Sequence, residues 1–399
     1  MYRKIPIPCH LTRVSKFCGA KEIHMAQMVI LLSHIPNPRI LKKIKTLEDR
    51  YKITLIYWDR GLKGKEGFEI SKKNNVKEIS VKAPQGKPFY RIIPLIKFTC
   101  IAISYLKDIK PTFIHASNFD MLLVASFYRD LFKKNTKIVY EVADLPEYSF
   151  IKGVHSLKTF AAKILQIIER KMTRKISKLI LTSPFFWDEY FSKFVNKDKY
   201  LFIPNVPYKN LFSKYEKQHH DIFTIGFIGS VRYVRQLKML IDAVDELKGN
   251  IKIFIAGSGP GYQEITEYSE GKNFIEIYGP YNYEREIVSL YEKIDVAYSV
   301  YDTTLKNVRI ALPNRLYEAI VCNIPIIGAK GTVLGKFIED NEIGITVNSE
   351  DKDELKKHLT MLSGSKKKLK TYQLNCDKIK QNYYYESISE VLLNEYEKM

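Results

Sequence analysis

Short apolar runs alternate with stretches of helical period along most of the chain. The first series runs MVILLSHI (28–35), KITLIYW (52–58), TFIHAS (112–117), TKIVYEV (136–142), KLILTS (178–183) and YLFIPN (200–205). These runs are continuous rather than alternating, as in strands buried on both faces, so they predict a parallel sheet covered by helices. Between them, PRILKKIKTLEDRY has a helical pattern, and FAAKILQIIERKMTRKIS turns Ile164, Leu165, Ile168 and Met172 one way. The stretch IIPLIKFTCIAISYL (92–106) is short and contains Lys97; it reads first as a buried helix and second as an interfacial one. A polar stretch at 207–221 leads into a second series: IFTIGFIG (222–229), IKIFIAG (251–257), NFIEIYG (273–279), IDVAYSVY (294–301), IPIIGA (324–329) and IGITV (343–347). Two such series predict an α/β chain of two doubly wound parallel-sheet domains facing a cleft. The expected layout is an extension (1–27), a first domain (28–206), a linker (207–221), a second domain (222–375) and a C-terminal helix (376–399) packing back across both.

Bulk properties narrow this picture in four ways. The 399 residues suit two domains, and no run of eighteen uncharged apolar residues suggests a transmembrane helix. The basic N-terminus lacks an apolar core of signal-peptide length; it reads as an extended leader, or as sequence ahead of a start at Met25 or Met28. Five scattered cysteines without metal spacing suggest a reduced cytosolic chain. Charge is the fourth and most telling feature. Residues 1–200 hold 38 Lys and Arg against 17 Asp and Glu, whereas residues 201–399 hold 26 against 27. A basic half beside a neutral half suggests that one domain faces something anionic.

Ligands of open parallel sheets bind where strand carboxyl ends lead into helix N-termini. In the second series FIGSVRYVRQLKMLIDAV places Gly229 and Ser230 in such a turn, with Arg232 and Arg235 opening the helix. Glycine lets a phosphate approach the backbone, helix amides point at it, and arginine adds charge-assisted bonds. The alternative is an ordinary surface-arginine turn. AGSGPG (256–261) supplies Gly257 and Gly259 at another strand end, a weak signal alone. Neither a G-x-G-x-x-G after a first strand nor a G-x-x-x-x-G-K-[ST] occurs, which counts against a dinucleotide-dependent dehydrogenase and a P-loop NTPase.

The stretch ALPNRLYEAIVCNIPII (311–327) predicts a helix opened by Pro313 and closed by Asn323 ahead of Ile324-Pro325. Asn314, Arg315 and Glu318 share or flank one face. Helix amides would suit an anion, and a carboxylate one turn further in would suit a pair of hydroxyls, as in a nucleoside diphosphate. The plainer reading is an Arg315–Glu318 pair worth about 0.3–0.5 kcal/mol. The residues alone leave the two level.

The ordered set Gly229, Arg232, Arg235, then AGSGP, then IYGPYNYEREIVSLYEKIDVAYSVY, then ALPNRLYEAIVCNIPII resembles the donor domain of GT-B fold glycosyltransferases similar to family 4. IVYEVADLPEY, IERKMTRKISKLILTSPFFWDEY and IPNVPYKNLF resemble the acceptor domain in matching order. The resemblance implies retaining, metal-independent transfer of a sugar from a nucleotide-sugar to a glycan or lipid-linked acceptor, in cell-surface polysaccharide (capsule, lipopolysaccharide) or glycolipid assembly. No cofactor is implied. By the same resemblance Arg232 and Arg235 hold the diphosphate beside Gly229 and Ser230. Leu312, Pro313, Asn314 and Arg315 contact phosphates or sugar, and Glu318 binds ribose. Tyr278 and Gly279 lie near the base, and Gly257 and Gly259 line the donor turn. Two positions depart from the family pattern. Ile310 stands where a paired glutamate is frequent, as in a subgroup with a PN[KR]LYE sequence. Ala143 stands where a histidine is frequent, so Asp144 is the candidate that orients the acceptor, with a helix N-cap as its alternative.

The basic half suggests a peripheral enzyme at the inner face of an anionic membrane, with Lys152 to Lys178 around an amphipathic segment and Lys63–Lys97 as the basic stretches. Two rivals are a GT-B protein that binds nucleotide or glycan without turnover, and a nucleic-acid-binding protein. No recognised nucleic-acid module supports the latter, and no nucleic-acid partner is expected.

Overall fold

The structure is a computed structural model describing residues 25–61, 68–84 and 89–399. The leader up to residue 24, and Lys63, Lys65 and Lys87 of the basic stretch, lie outside the described residues.

The first sheet contains β1 (Ala26–Leu32), β2 (Tyr51–Asp59), β3 (Asn75–Ser80), β4 (Phe113–Ser117), β5 (Lys137–Val142), β6 (Lys178–Leu181) and β7 (Tyr200–Phe202), in the order β3-β2-β1-β4-β5-β6-β7. The second contains β8 (Phe223–Ile228), β9 (Ile251–Ala256), β10 (Ile275–Gly279), β11 (Val296–Ser299), β12 (Ile326–Ala329) and β13 (Gly344–Val347), in the order β10-β9-β8-β11-β12-β13. Ile30 of β1 lies in parallel register opposite both Leu55 and His115, and Ile225 of β8 opposite both Ile253 and Val296. Each sheet is doubly wound, because its chain runs outward from a central strand and returns to that strand's other side. The described residues up to Val142 with Ile168–Ile180 and Leu393–Met399 form one compact unit; Ala143–Ile167 with Leu181–Leu392 form the other.

Helices connect the strands. Around the first sheet they are α1 (Pro38–Leu47), α2 (Ile92–Ile109), α3 (Phe119–Leu131), α4 (Leu157–Thr173) and α5 (Pro184–Glu189). A short α6 (Lys209–Phe212) precedes α7 (Val234–Leu247), α8 (Tyr262–Ser269), α9 (Tyr283–Glu292), α10 (Lys306–Ile310), α11 (Asn314–Val321), α12 (Val333–Asp340), α13 (Lys352–Gly364), α14 (Lys366–Ile379) and α15 (Tyr385–Glu397). Among the described residues no helix is long and apolar enough to cross a membrane.

The buried-helix expectation for 92–106 is corrected. The inner stripe of α2 needs only Phe98, Ala102, Ile103 and Leu106, so its surplus apolar residues face out: Ile92 is 53%, Ile93 67%, Ile96 57% and Ile101 42% exposed. In α4 the apolar side is not the inner side. Ala162, Gln166, Glu169 and Thr173 are buried, while Ile164 is exposed and Leu165, Ile168 and Met172 are half-buried. The inward polar groups are satisfied. Gln166 Nε2 donates to the carbonyls of Tyr148 at 2.6 Å and Ile151 at 3.0 Å, and Tyr140 donates to Glu169 at 2.6 Å.

The first unit also encloses a charged core. Glu141, fully buried in β5, meets Lys43 Nζ at 2.5 Å, Arg39 Nε at 3.0 Å and His115 Nε2 at 2.7 Å. Burial alone would push this carboxyl up, but Lys43, Arg39 and His115 outweigh it and hold it well below the usual carboxylate range. Burial lowers His115, which stays neutral at pH 7. Its Nε2–H then donates to Glu141 while Nδ1 accepts from Tyr396 at 2.6 Å, which ties α15 to this core.

Candidate functional site

The winding of the second sheet reverses between β8 and β11, and the loops leaving these two neighbours open the crevice where open α/β sheets hold ligands. Glycines make the β8 side. Gly229, Gly257, Gly259 and Gly279 all have φ between +87° and +146°, outside what a side chain tolerates. They are also close-packed. The amide of Gly257 donates to Gly279 at 2.7 Å, that of Gly229 donates to Ala256 at 2.8 Å, and a Cβ on Gly257 would lie 1.9 Å from the Gly229 carbonyl oxygen. Three adjacent strand ends are thus stitched into one side-chain-free ledge.

Helix capping separates this ledge from its surroundings. Asn282, Thr332, Asp351 and Ser365 cap α9, α12, α13 and α14 through their side chains. By contrast α7 and α8, which follow β8 and β9, and α11, which follows β11 and the short, likewise uncapped α10, have no side-chain cap. Leading amides of an uncapped helix are orphan donors beside the positive end of its dipole, a setting for phosphate oxygens.

Arg315, in the first turn of α11, lies across the ledge. Its guanidinium stacks 4.0 Å from the Phe227 ring and 5.3 Å from that of Tyr301, and a Cβ on Gly229 would lie 2.6 Å from Nη2. Gly229 is therefore needed for its backbone, and a side chain there would push the guanidinium aside. Among the described residues Arg315 has no ion-pair partner, and its Nη1 is buried without a hydrogen bond. An uncompensated cation at a strand-end crevice favours an anion.

One turn on, Glu318 is 6% exposed. Its Oε1 accepts from Tyr283 at 2.9 Å and its Oε2 from Tyr291 at 3.0 Å. Burial first, and the Glu318 charge second, push both phenols far up, so they remain donors. The two tyrosines hold one carboxylate oxygen each and so fix the rotamer.

The remaining sequence-selected residues fall into three places. Arg232 and Arg235 sit at the exposed start of α7. Arg232 bonds Ser230 Oγ at 3.0 Å, and Arg235 pairs with Glu350 at 2.7 Å. Leu312 is buried, Pro313 occupies the α11 N-cap and Asn314 is exposed. Tyr278 lies on the surface, bonded to Glu286 and covered by Lys293 at 5.3 Å. Asp144 caps no helix; its Oδ1 accepts from Asn307 Nδ2 at 2.9 Å, while the Asn307 Oδ1 takes the Leu145 amide. Tyr233 joins these places, since its phenol, raised by burial, feels Arg232, Asp144, Arg315 and Asp302 together, and its ring packs 4.9 Å from Tyr301. Gly229, Arg232, Arg315 and Asp144 thus belong to one neighbourhood, with Glu318 joined through Tyr291 and Tyr301, which both feel it and Arg315. Arg235 and Tyr278 stand at its rim.

Several partners were not apparent in the sequence: Tyr283 and Tyr291 holding Glu318, Phe227 and Tyr301 under Arg315, and Asn307 on Asp144. One usable signal existed, because buried tyrosines on an amphipathic helix need acceptors for their hydroxyls. Among the described residues no three His, Cys, Asp or Glu side chains converge as a metal site.

Two sheets of this topology, with the ledge at the second switch point, define the GT-B class of architecture. Solved structures share it across nearly the whole chain. Sucrose-phosphate synthase from Thermosynechococcus elongatus matches with a TM-score of 0.73 at 14% identity, covering 93% of this chain and 98% of that one. HepE from Anabaena, solved with UDP, matches at 0.69 and 14% identity, covering 94% and 100%; its UDP-glucose complex matches at 0.66. More particularly, residues 222–364 match the family model of glycosyl transferases group 1. The succinoglycan biosynthesis protein ExoL of Rhizobium meliloti (strain 1021) is 23% identical over 347 residues, 83% of each chain.

Proposed function

We propose that this protein is a glycosyltransferase that takes a sugar from a nucleoside diphosphate sugar, a UDP-sugar in the first instance, and adds it to a glycan during polysaccharide assembly. The observation that carries this reading is the unpaired Arg315 guanidinium lying against the Gly229 turn, one helical turn before a tyrosine-held Glu318. The group 1 match over 222–364, UDP and UDP-glucose in HepE, and the role in ExoL's name all support it.

On this reading the diphosphate rests on the glycine ledge and on the uncapped starts of α7 and α11. As the bond from sugar to phosphate breaks, negative charge grows on the leaving diphosphate. Helix amides and Arg315 lie where that charge develops, and Arg232 and Arg235 reach it from the exposed start of α7, so together they favour the transition state over the ground state. Arg235 must first leave Glu350, which costs little because exposed pairs contribute about 0–1 kcal/mol. Glu318 accepts from the ribose hydroxyls. Asp144, its second oxygen free of hydrogen bonds among the described residues, orients the acceptor hydroxyl. We read the transfer as retaining and metal-independent, and the acceptor as lipid-linked. The test is a melting-temperature screen of UDP, GDP and their sugars, followed by turnover of the stabilising sugar with and without EDTA. A rise with UDP and EDTA-resistant turnover are expected. No rise with any nucleotide would overturn the reading, whereas binding without turnover in the presence of acceptor glycans would leave a nucleotide-binding protein.

A further inference from the structure

Helix α4 is built the wrong way round for a helix facing water. Its inner side is Ala162, Gln166, Glu169 and Thr173, while its outer side carries Leu157, 88% exposed, Phe160, 54%, Ile164, 42%, and Ile167, 56%. These four follow each other at spacings of three and four, so they form one stripe, continued upstream by exposed Val154 and downstream by exposed Lys171. A soluble surface rarely shows so many large apolar side chains in line. Charge says what covers them. Lys152, Lys158, Lys171 and Arg174 are exposed around the stripe, and Glu169, turned inward onto Tyr140, is the one acidic residue between 151 and 178.

We propose that this outward face of α4 seats the protein on an anionic lipid bilayer. The helix lies in the plane of the interface, with the four apolar side chains at the acyl boundary and the lysines on headgroup phosphates. A protein partner would need acidic groups matched to these cations, whereas an anionic leaflet supplies negative charge at every position. The proposal does not rest on the sugar-transfer reading, because vesicle binding requires no turnover. It adds that any acceptor is met at the membrane surface, which suits a lipid-borne glycan.

The test is co-sedimentation of the full-length protein with vesicles of phosphatidylcholine alone or mixed with phosphatidylglycerol, at low and high salt. Binding to the mixed vesicles is expected. L157S/F160S should weaken it about tenfold or more, and K158E/K171E should abolish the preference for phosphatidylglycerol, each with the wild-type melting temperature and UDP affinity. Two results would overturn the proposal. One is wild-type vesicle binding by L157S/F160S. The other is no binding by the wild type, with sedimentation velocity showing a dimer that L157S/F160S dissolves; the stripe would then be an interface between copies. Loss of UDP binding in every protein, with vesicle binding intact, would instead count against the transferase reading.

Discussion

Each half of the molecule buries a glutamate, and the two are treated in opposite ways. Glu141 in β5 is surrounded by Lys43, Arg39 and the neutral His115, so its charge is offset by two cations that are themselves buried or nearly so. Glu318 in α11 is held by the phenols of Tyr283 and Tyr291, which orient it without cancelling its charge. The compensating cation for a ligand's phosphate, Arg315, lies instead on an aromatic shelf and keeps its own charge. A carboxylate locked among cations stabilises a fold. One oriented by two phenols, beside an unpaired cation, suits a ligand site.

The sharpest way to break the contrast is Glu141→Ala. It should cost about 3–5 kcal/mol in urea unfolding, because Lys43 and Arg39 are left buried and unpaired. UDP affinity of the folded fraction should not change. The same site sets an acid limit. A carboxyl held below its unfolded value contributes stability above that value, about 4.3, and loses it as pH falls through the folded value, so wild-type stability should drop below about pH 4 more steeply than that of Glu141→Gln.

Arg315→Met should behave in the reverse manner. It removes a charge with no ion-pair partner, so the melting temperature should hold or rise, while UDP affinity falls by about 1.5–3 kcal/mol, the range for hydrogen bonds to charged groups. A large stability loss with unchanged UDP affinity would make Arg315 a packing residue. Tyr291→Phe should cost about 1 kcal/mol of stability and a few-fold in UDP affinity, by loosening Glu318. Smallest is Glu350→Ala, which frees Arg235. It should tighten UDP by less than about 1 kcal/mol, and weakened binding would place Glu350 in contact with the ligand.

Most strands could be read from the chain because a parallel strand covered on both faces has to be apolar throughout, as in MVILLSHI and IFTIGFIG. The edge strand β3, NVKEIS, escaped because only Ile79 is buried in it. Helical period showed that α4 is a helix but not which side faces in, since hydrogen bonds from Gln166 and to Glu169 make a polar side acceptable inside. At the site, Gly229, Arg315 and Glu318 were legible because each sits at a strand end or within two turns of a helix start, where local sequence sets geometry. The charged core was not. His115, Glu141, Arg39 and Tyr396 come from four separate elements, and only folding brings them together. An acid within the apolar run TKIVYEV was the one local sign that a buried cation had to exist elsewhere.

The most direct test is calorimetric titration of UDP, in EDTA, into the wild type, Glu318→Gln and Glu141→Gln. UDP should bind the wild type and Glu141→Gln alike and bind Glu318→Gln at least about tenfold more weakly. Equal affinity in all three, or no binding to the wild type, would contradict that expectation.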